Sequence, residues 1–293
     1  MTVRLRRALE ENEFLSCLGV WDAVSAKLVE KAGFPVIYAG GHVMAASIGY
    51  PDVGLVTMTE VVERARGIAS AVNIPIICDA DTGYGGIINV RRTIQEFERA
   101  GIAGCHIEDQ FFPKKCGSFK GRKVIPKEEM INKIKAAVDA RKDSNFFIIA
   151  RTDSINIEGL DAAMERAKAY EQAGADAIIP QNAEGFGPSE MKIFNKKIKV
   201  PKITLITETD YWVRKHDPLS VQDGKKLGFK MAIFPLALMY SAAKAIKDVI
   251  QEIKEKGTTQ RIINDKMINF DEFTTLMGLP EIYKVEDCYK ETP

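Results

Sequence analysis

The chain has 293 residues, 46% hydrophobic and 28% charged, which suits one large α/β barrel or two ordinary domains. With 41 basic and 40 acidic residues its net charge is +1, so no nucleic-acid surface is indicated, and affinity for small acids has to come from local placement. No run reaches the ~18 apolar residues of a membrane helix, and no apolar stretch follows the basic start, so neither a membrane span nor a secretory signal is expected.

Along the chain, short apolar, β-branched runs alternate with longer segments of helical period. The runs are Cys17–Val20, Pro35–Ala39, Ile74–Cys78, Gly104–Ile107, Phe146–Ala150, Asp176–Pro180, Lys202–Ile206 and Met231–Phe234. Between them lie amphipathic stretches such as Thr59–Asn73, with Thr59 as its cap, Val90–Ala100, Lys127–Arg141 and Leu160–Ala173. Several end in Ala-Gly, at Gly33, Gly101 and Gly174, where glycine fits a left-handed helix cap. Continuous apolar strands separated by helices imply a parallel sheet covered on both faces. Eight such units, with no GxGxxG after the first strand, predict an α/β fold, a (β/α)8 TIM barrel over residues 1–256. Helices at Ala237–Lys256 and Phe270–Met277 are expected beyond the eighth strand, and residues 257–293 form a C-terminal helical extension.

Barrel chemistry sits at the carboxyl ends of the strands. The second run ends in Tyr38-Ala-Gly-Gly41, whose glycine amides can approach a carboxylate or form a simple turn. The third ends in Asp79-Ala-Asp81, two carboxylates placed at i and i+2 on one strand face, which repel unless a cation or proton lies between them. Oxygen ligands suit Mg2+ or Mn2+, and Glu108, following the fourth run directly, supplies a third. His106 alternates with Glu108 but reads more simply as a hydrogen-bonded core residue. In the next loop, Lys114-Lys-Cys-Gly117 surrounds Cys116 with positive charge, which predicts a lowered thiol pKa and a proton-transfer role. Arg151 closes the fifth run as a two-pronged anion grip, with an ion pair to Asp153 or Glu108 as the companion reading. The other cysteines, Cys17, Cys78, Cys105 and Cys288, form no CxxC pair and read as a reduced, cytosolic set.

With these residues in place the chain resembles the isocitrate lyase/phosphoenolpyruvate mutase superfamily, in the branch of 2-methylisocitrate lyase, dimethylmalate lyase, oxaloacetate hydrolase and petal death protein. The resemblance covers nearly the whole chain and rests on Gly19-Val-Trp-Asp-Ala-Val-Ser25, Tyr38-Ala-Gly-Gly41, Gly49-Tyr-Pro-Asp52, Asp79-Ala-Asp-Thr-Gly83, Ile107-Glu-Asp-Gln110, Lys114-Lys-Cys-Gly117 and Ala150-Arg-Thr-Asp153. It implies that Asp79, Asp81 and Glu108 hold magnesium, mostly through water. It further implies that Tyr38, Gly40, Gly41 and Arg151 bind the 2-oxo acid end, that Asp52 stands near the reacting oxygen, and that Trp21 walls the pocket. Cys116 would protonate the departing carbanion, assisted by Lys114, on a loop that closes over the substrate. The implied activity is cleavage or formation of a carbon–carbon bond in a 2-hydroxy di- or tricarboxylate. Relatives imply a homotetramer with an exchanged C-terminal helix, and no partner beyond the small acid is expected.

Three positions depart from the lyase pattern. Ser118 stands where histidine is usual, Gln181 where glutamate is usual, and Leu205-Ile-Thr-Glu208 replaces an asparagine-led segment. With Thr207, these residues imply an altered distal pocket for a group that is less acidic, more apolar or differently shaped. The competing expectations are a phosphonate-forming mutase, a hydrolase or decarboxylase on the same scaffold, and a ligand-binding relative without catalysis.

Overall fold

A computed structural model describes residues 1–181, 186–206 and 219–290. Its strands are β1 (Leu15–Val20), β2 (Ile37–Ala39), β3 (Ile76–Asp79), β4 (Gly104–Glu108), β5 (Phe147–Thr152), β6 (Ala177–Pro180), β7 (Ile203–Leu205) and β8 (Met231–Phe234). All pair in parallel, in the order β6-β5-β4-β3-β2-β1-β8-β7. The remaining seam is crossed by a parallel bridge between Ile178 and Lys202, where the Ile178 N–H donates to Pro201 O at 3.0 Å. The (β/α)8 barrel expected from the alternation is the observed fold.

Local chemistry explains the boundaries. Helix Met58–Ala71 is capped by Thr57, two residues before the expected cap Thr59, because Thr57 and Glu60 form a reciprocal capping box. Gly33, Gly101 and Gly174 have φ of 83°, 84° and 102°, the left-handed geometry that the Ala-Gly endings predict. A helix that the sequence reading passed over, Thr2–Glu11, buries Leu5 and Leu9 in the core cluster with Leu15, Cys17 and Phe147. Arg4 donates to Asn73 O at 2.7 Å, and Arg6 donates to Asn145 O and Asp176 Oδ1, both at 3.0 Å. Since these acceptors precede β3, β5 and β6, the helix covers the amino end of the barrel and leaves the carboxyl end open to chemistry.

Inward positions then continue from core to mouth with period two. Ile77 leads to Asp79, Ile149 to Arg151, Ile179 to Gln181, and Ile203 to Leu205, each pair beginning in the buried cluster. Residues Met1–Ala237 form one compact unit and Leu238–Pro293 a second. Helices Phe270–Leu276 and Leu279–Cys288 belong to the latter. Among the described residues, no helix is long and apolar enough to cross a membrane.

Candidate active site

The site begins at β3. Asp79 is its last residue, and Asp81 lies beyond the strand with φ of 47°. The two carboxylates are thus brought together by a turn rather than by a shared strand face: the Asp81 N–H donates to Asp79 Oδ1 at 2.9 Å. Aspartate tolerates this left-handed conformation better than most side chains. The Asp81 carbonyl accepts from the Glu108 N–H at 2.8 Å, which fixes the end of β4 beside that of β3.

At β2, the Gly41 amide is already committed, donating to Asp79 Oδ2 at 3.1 Å. Gly41 is therefore part of the acid cradle. A Cβ on Gly41 would come within 2.7 Å of Asp79 Oδ2 and 3.2 Å of Asp81 Oδ1. The Tyr38 hydroxyl lies 3.3 Å from Asp79 Oδ2 and 2.8 Å from His106 Nε2, and the two rings stack at 5.7 Å. His106 is fully buried, 3.5 Å from Asp79 Oδ1, and burial pushes its pKa down to about 4.

Cations balance the acids. Lys114 Nζ donates to Asp52 Oδ1 and lies 2.8 Å from Asp81 Oδ1. Arg151 makes a fork with Asp153 at 2.9 and 3.1 Å and reaches Glu108 Oε2 at 3.2 Å, so both alternative ion pairs exist together. Asp153 is also held by Arg122 at 2.6 Å and by the Gln110 amide at 3.3 Å. Burial opposes ionisation of Asp79, yet His106, Lys114 and Arg151 outweigh it and hold the carboxyl below the usual range. Burial pushes Asp81 up to about 7 against the pull of Lys114, and pushes Glu108 well above the usual range against Arg151. Burial also opposes the Lys114 charge, but Asp81, Asp52 and Glu108 keep the ammonium protonated.

The loop after β4 folds over this cradle. The Cys116 N–H donates to Asp52 O at 3.0 Å, and Gly117 sits against Gln181 and Arg151, where a Cβ would meet Gln181 Nε2 at 2.4 Å. The expected lowering of the Cys116 pKa is not found. Burial, followed by Asp52, pushes the thiol up to about 11, and Lys114 opposes this only weakly because its charge is engaged by Asp52 and Asp81. At neutral pH Cys116 is therefore a protonated thiol, suited to giving a proton rather than taking one.

These side chains enclose a cavity of about 60 Å³. Of the residues expected from sequence, Tyr38, Gly40, Gly41, Asp52, Asp79, Lys114, Cys116, Ser118, Arg151, Gln181 and Leu205 line it. Asp81 and Glu108 stand behind that lining, tied to it through Lys114 and Arg151. Trp21 is half-buried and outside the lining, its backbone N–H donating to Ser25 Oγ at 3.2 Å. Thr207 and Glu208 lie outside the described residues. His42, Pro235 and Leu236 also line the cavity and were missed. Pro235 continues the inward face of Ile233 and was reachable by the period-two reasoning used elsewhere, whereas His42 lies on helix Gly41–Ala46, which strand alternation does not reach.

The fit of a magnesium ion can be judged from the donor set. Glu108 Oε1 is buried without a hydrogen-bond partner. Ionised, the carboxylates of Asp52, Asp79, Asp81, Glu108 and Asp153 exceed the cations Lys114, Arg151 and Arg122 by two negative charges, the charge of one divalent ion. Among the described residues, oxygens of Asp79, Asp81 and Glu108 do not all fall within 4.8 Å of one another, the spacing of a shared direct set. The acids therefore fit an ion that keeps several of its waters, as Mg2+ commonly does.

An acid-lined small-molecule site at the carboxyl end of a (β/α)8 barrel defines the class. The phosphoenolpyruvate phosphomutase family signature matches residues 5–254. The chain is 42% identical over 287 residues to 2,3-dimethylmalate lyase of Eubacterium barkeri, covering 98% of this chain and 97% of that one. It is 39% identical over 280 residues to 2-methylisocitrate lyase of Aeropyrum pernix, with coverages of 96% and 88%. A solved phosphonopyruvate hydrolase in complex with oxalate and Mg++ matches with a TM-score of 0.87 at 30% identity, covering 99% of each chain. This chain belongs to the phosphoenolpyruvate mutase/isocitrate lyase superfamily.

Proposed function

We propose that the protein is a carbon–carbon lyase that splits a 2-hydroxy di- or tricarboxylate into a 2-oxo acid and a second acid. The observation that carries this reading is a single small cavity that presents Cys116, Asp52, Lys114, Arg151 and Asp79 together. Asp79, Asp81 and Glu108 would hold Mg2+, which when bound supplies positive charge to the oxygen on C2 of the substrate.

The chain's own residues supply the remaining chemistry. Arg151, its planar guanidinium oriented by the fork with Asp153, grips the carboxylate beside the reacting carbon. Asp52, fixed by Lys114, takes the 2-hydroxyl proton. The C2–C3 bond then breaks, leaving its electrons on C3 and the adjoining carboxylate, and the neutral thiol of Cys116 gives C3 a proton. The closed loop keeps bulk water from the carbanion. Ser118, Gln181 and Leu205 provide a hydroxyl, an amide and an alkyl group rather than a cation, which favours a distal substituent less acidic than that of 2-methylisocitrate.

The test is release of a 2-oxo acid from a panel of 2-hydroxy acids that includes 2,3-dimethylmalate and 2-methylisocitrate. Turnover that stops with chelator and returns with Mg2+ supports the reading. No 2-oxo acid from any member refutes it, and a phosphonate signal in phosphorus NMR with phosphoenolpyruvate would assign mutase chemistry instead.

We also propose a cytosolic homotetramer in which residues 257–293 are exchanged between subunits. Helix Ala237–Lys256 buries none of its residues, and Ile246, Ile250 and Ile253 are 59%, 60% and 46% exposed at helical spacing. Light scattering that returns a 32.5 kDa monomer would overturn this assembly.

A further inference from the structure

We infer that His42, Asp52 and Cys116 form a second metal site, for Zn2+ or a similar borderline-soft divalent ion, and that filling it takes Cys116 and Asp52 out of use. The inference goes beyond the lyase reading and does not depend on turnover. A ring nitrogen of His42, a carboxylate oxygen of Asp52 and the Cys116 sulfur all lie within 4.8 Å of one another. Tetrahedral zinc, with bonds of about 2.0–2.3 Å, sets its ligand atoms about 3.3–3.8 Å apart, so side-chain movements of about 1 Å complete the site. Among the described residues no other set of three or more histidine, cysteine, aspartate or glutamate side chains meets this spacing.

The donors come from separate elements that the fold has already pinned together. His42 lies on helix Gly41–Ala46 after β2, Asp52 in the loop that follows, and Cys116 in the loop after β4. The Cys116 N–H to Asp52 O bond of 3.0 Å fixes two of the three backbones. Asp52 divides its oxygens, Oδ1 facing Lys114 and Oδ2 lying 4.0 Å from His42 Nδ1. Burial keeps the His42 pKa below its ordinary value, so the ring is neutral and able to ligate at neutral pH. Its side chain is 23% exposed, which gives an ion a way in from solvent.

Hardness separates this site from the acid cradle. A thiolate, an imidazole and one carboxylate select zinc-like ions, whereas the all-oxygen set of Asp79, Asp81 and Glu108 selects magnesium-like ones. On binding, the Cys116 S–H bond breaks, its proton goes to buffer and a sulfur–metal bond forms, with no change of oxidation state. With the ion in place, Cys116 has no proton to give and Asp52 no free oxygen facing the substrate.

Co2+ serves as an optical stand-in for Zn2+. The titration uses a full-length Cys288→Ser background, since Cys288 is the exposed cysteine, with Mg2+ in excess to fill the oxygen site. The expected result is a thiolate-to-cobalt charge-transfer band that saturates at one ion per chain, disappears on Zn2+ addition and is absent in Cys116→Ser. His42→Ala and His42→Gln should each weaken Co2+ by about tenfold or more. No charge-transfer band, or a band of unchanged affinity in both His42 variants, overturns the site. Because the readout is a spectrum, its failure is distinguishable from failure of the lyase assignment.

Discussion

Gly41→Ala changes one methyl group at the centre of the proposed metal cradle. The backbone at Gly41 is not left-handed and opens a short helix, so alanine meets no conformational penalty there and favours the helix by roughly 0.5–1 kcal/mol. The new Cβ, however, would stand 2.7 Å from Asp79 Oδ2 and 3.2 Å from Asp81 Oδ1. Asp79 cannot simply swing away, because Tyr38, the Gly41 amide and the Asp81 amide all hold it. Its displacement breaks at least one bond to a charged acceptor, of the kind contributing about 1.5–3 kcal/mol, so Mg2+ affinity should fall about 10- to 100-fold. A shift of about 1 Å in the reacting geometry costs about 100-fold in rate. Calorimetric titration with Mg2+, thermal melting and steady-state turnover measure the three effects together. The expected outcome is a Tm lowered by a few degrees, since the lost bond outweighs the helix gain by about 0.5–2.5 kcal/mol, beside a large loss of Mg2+ affinity and kcat/KM. Wild-type Mg2+ affinity in a normally folded Gly41→Ala protein would refute the placement of the ion at Asp79 and Asp81.

Other perturbations probe separate parts of the account. Arg151→Lys keeps the charge but loses the fork to Asp153, so kcat/KM should drop about 100-fold, as for loss of one preorganised donor; unchanged kinetics would remove Arg151 from the site. Burial holds His106 near a pKa of about 4 when folded, against about 6.5 when unfolded, so the unfolded chain takes up the proton first and stability falls as pH drops from about 6.5 towards 4. His106→Gln should flatten that part of the Tm–pH curve, and an identical slope in both proteins would contradict it. Leu5→Ala should cost about 2–5 kcal/mol by chemical denaturation, since Leu5 is fully buried beneath the barrel; a loss under about 0.5 kcal/mol would show that the first helix does not seal the core.

The barrel was legible because its strands are buried on both faces and alternate with segments of helical period, three of which end in Ala-Gly. The helix Thr2–Glu11 escaped notice because only Leu5 and Leu9 bury within a segment rich in arginine and glutamate. At the site, position along a strand revealed Asp79, Glu108 and Arg151, but could not reveal geometry made by turns. Asp81 converges on Asp79 through a left-handed residue rather than through strand alternation. The Cys116 pKa was misjudged for a related reason. Neighbouring lysines in sequence suggested a stabilised thiolate, whereas the fold gives Lys114 to Asp52 and Asp81 and buries the sulfur. His106 and His42 were missed or set aside because a single histidine carries little signal until its neighbours are known.

In the proposed reaction a thiol on a closed loop, Cys116, hands one proton to a carbanion released beside Arg151 and the acids that would hold Mg2+. Cleavage of a turned-over 2-hydroxy acid in D2O, followed by NMR of the second acid, tests it most directly. One deuterium delivered to a single face of the new C–H centre, with cleavage and labelling both lost in Cys116→Ser, is the predicted result. Label distributed equally over both faces, or undiminished single-face labelling in Cys116→Ser, would contradict it.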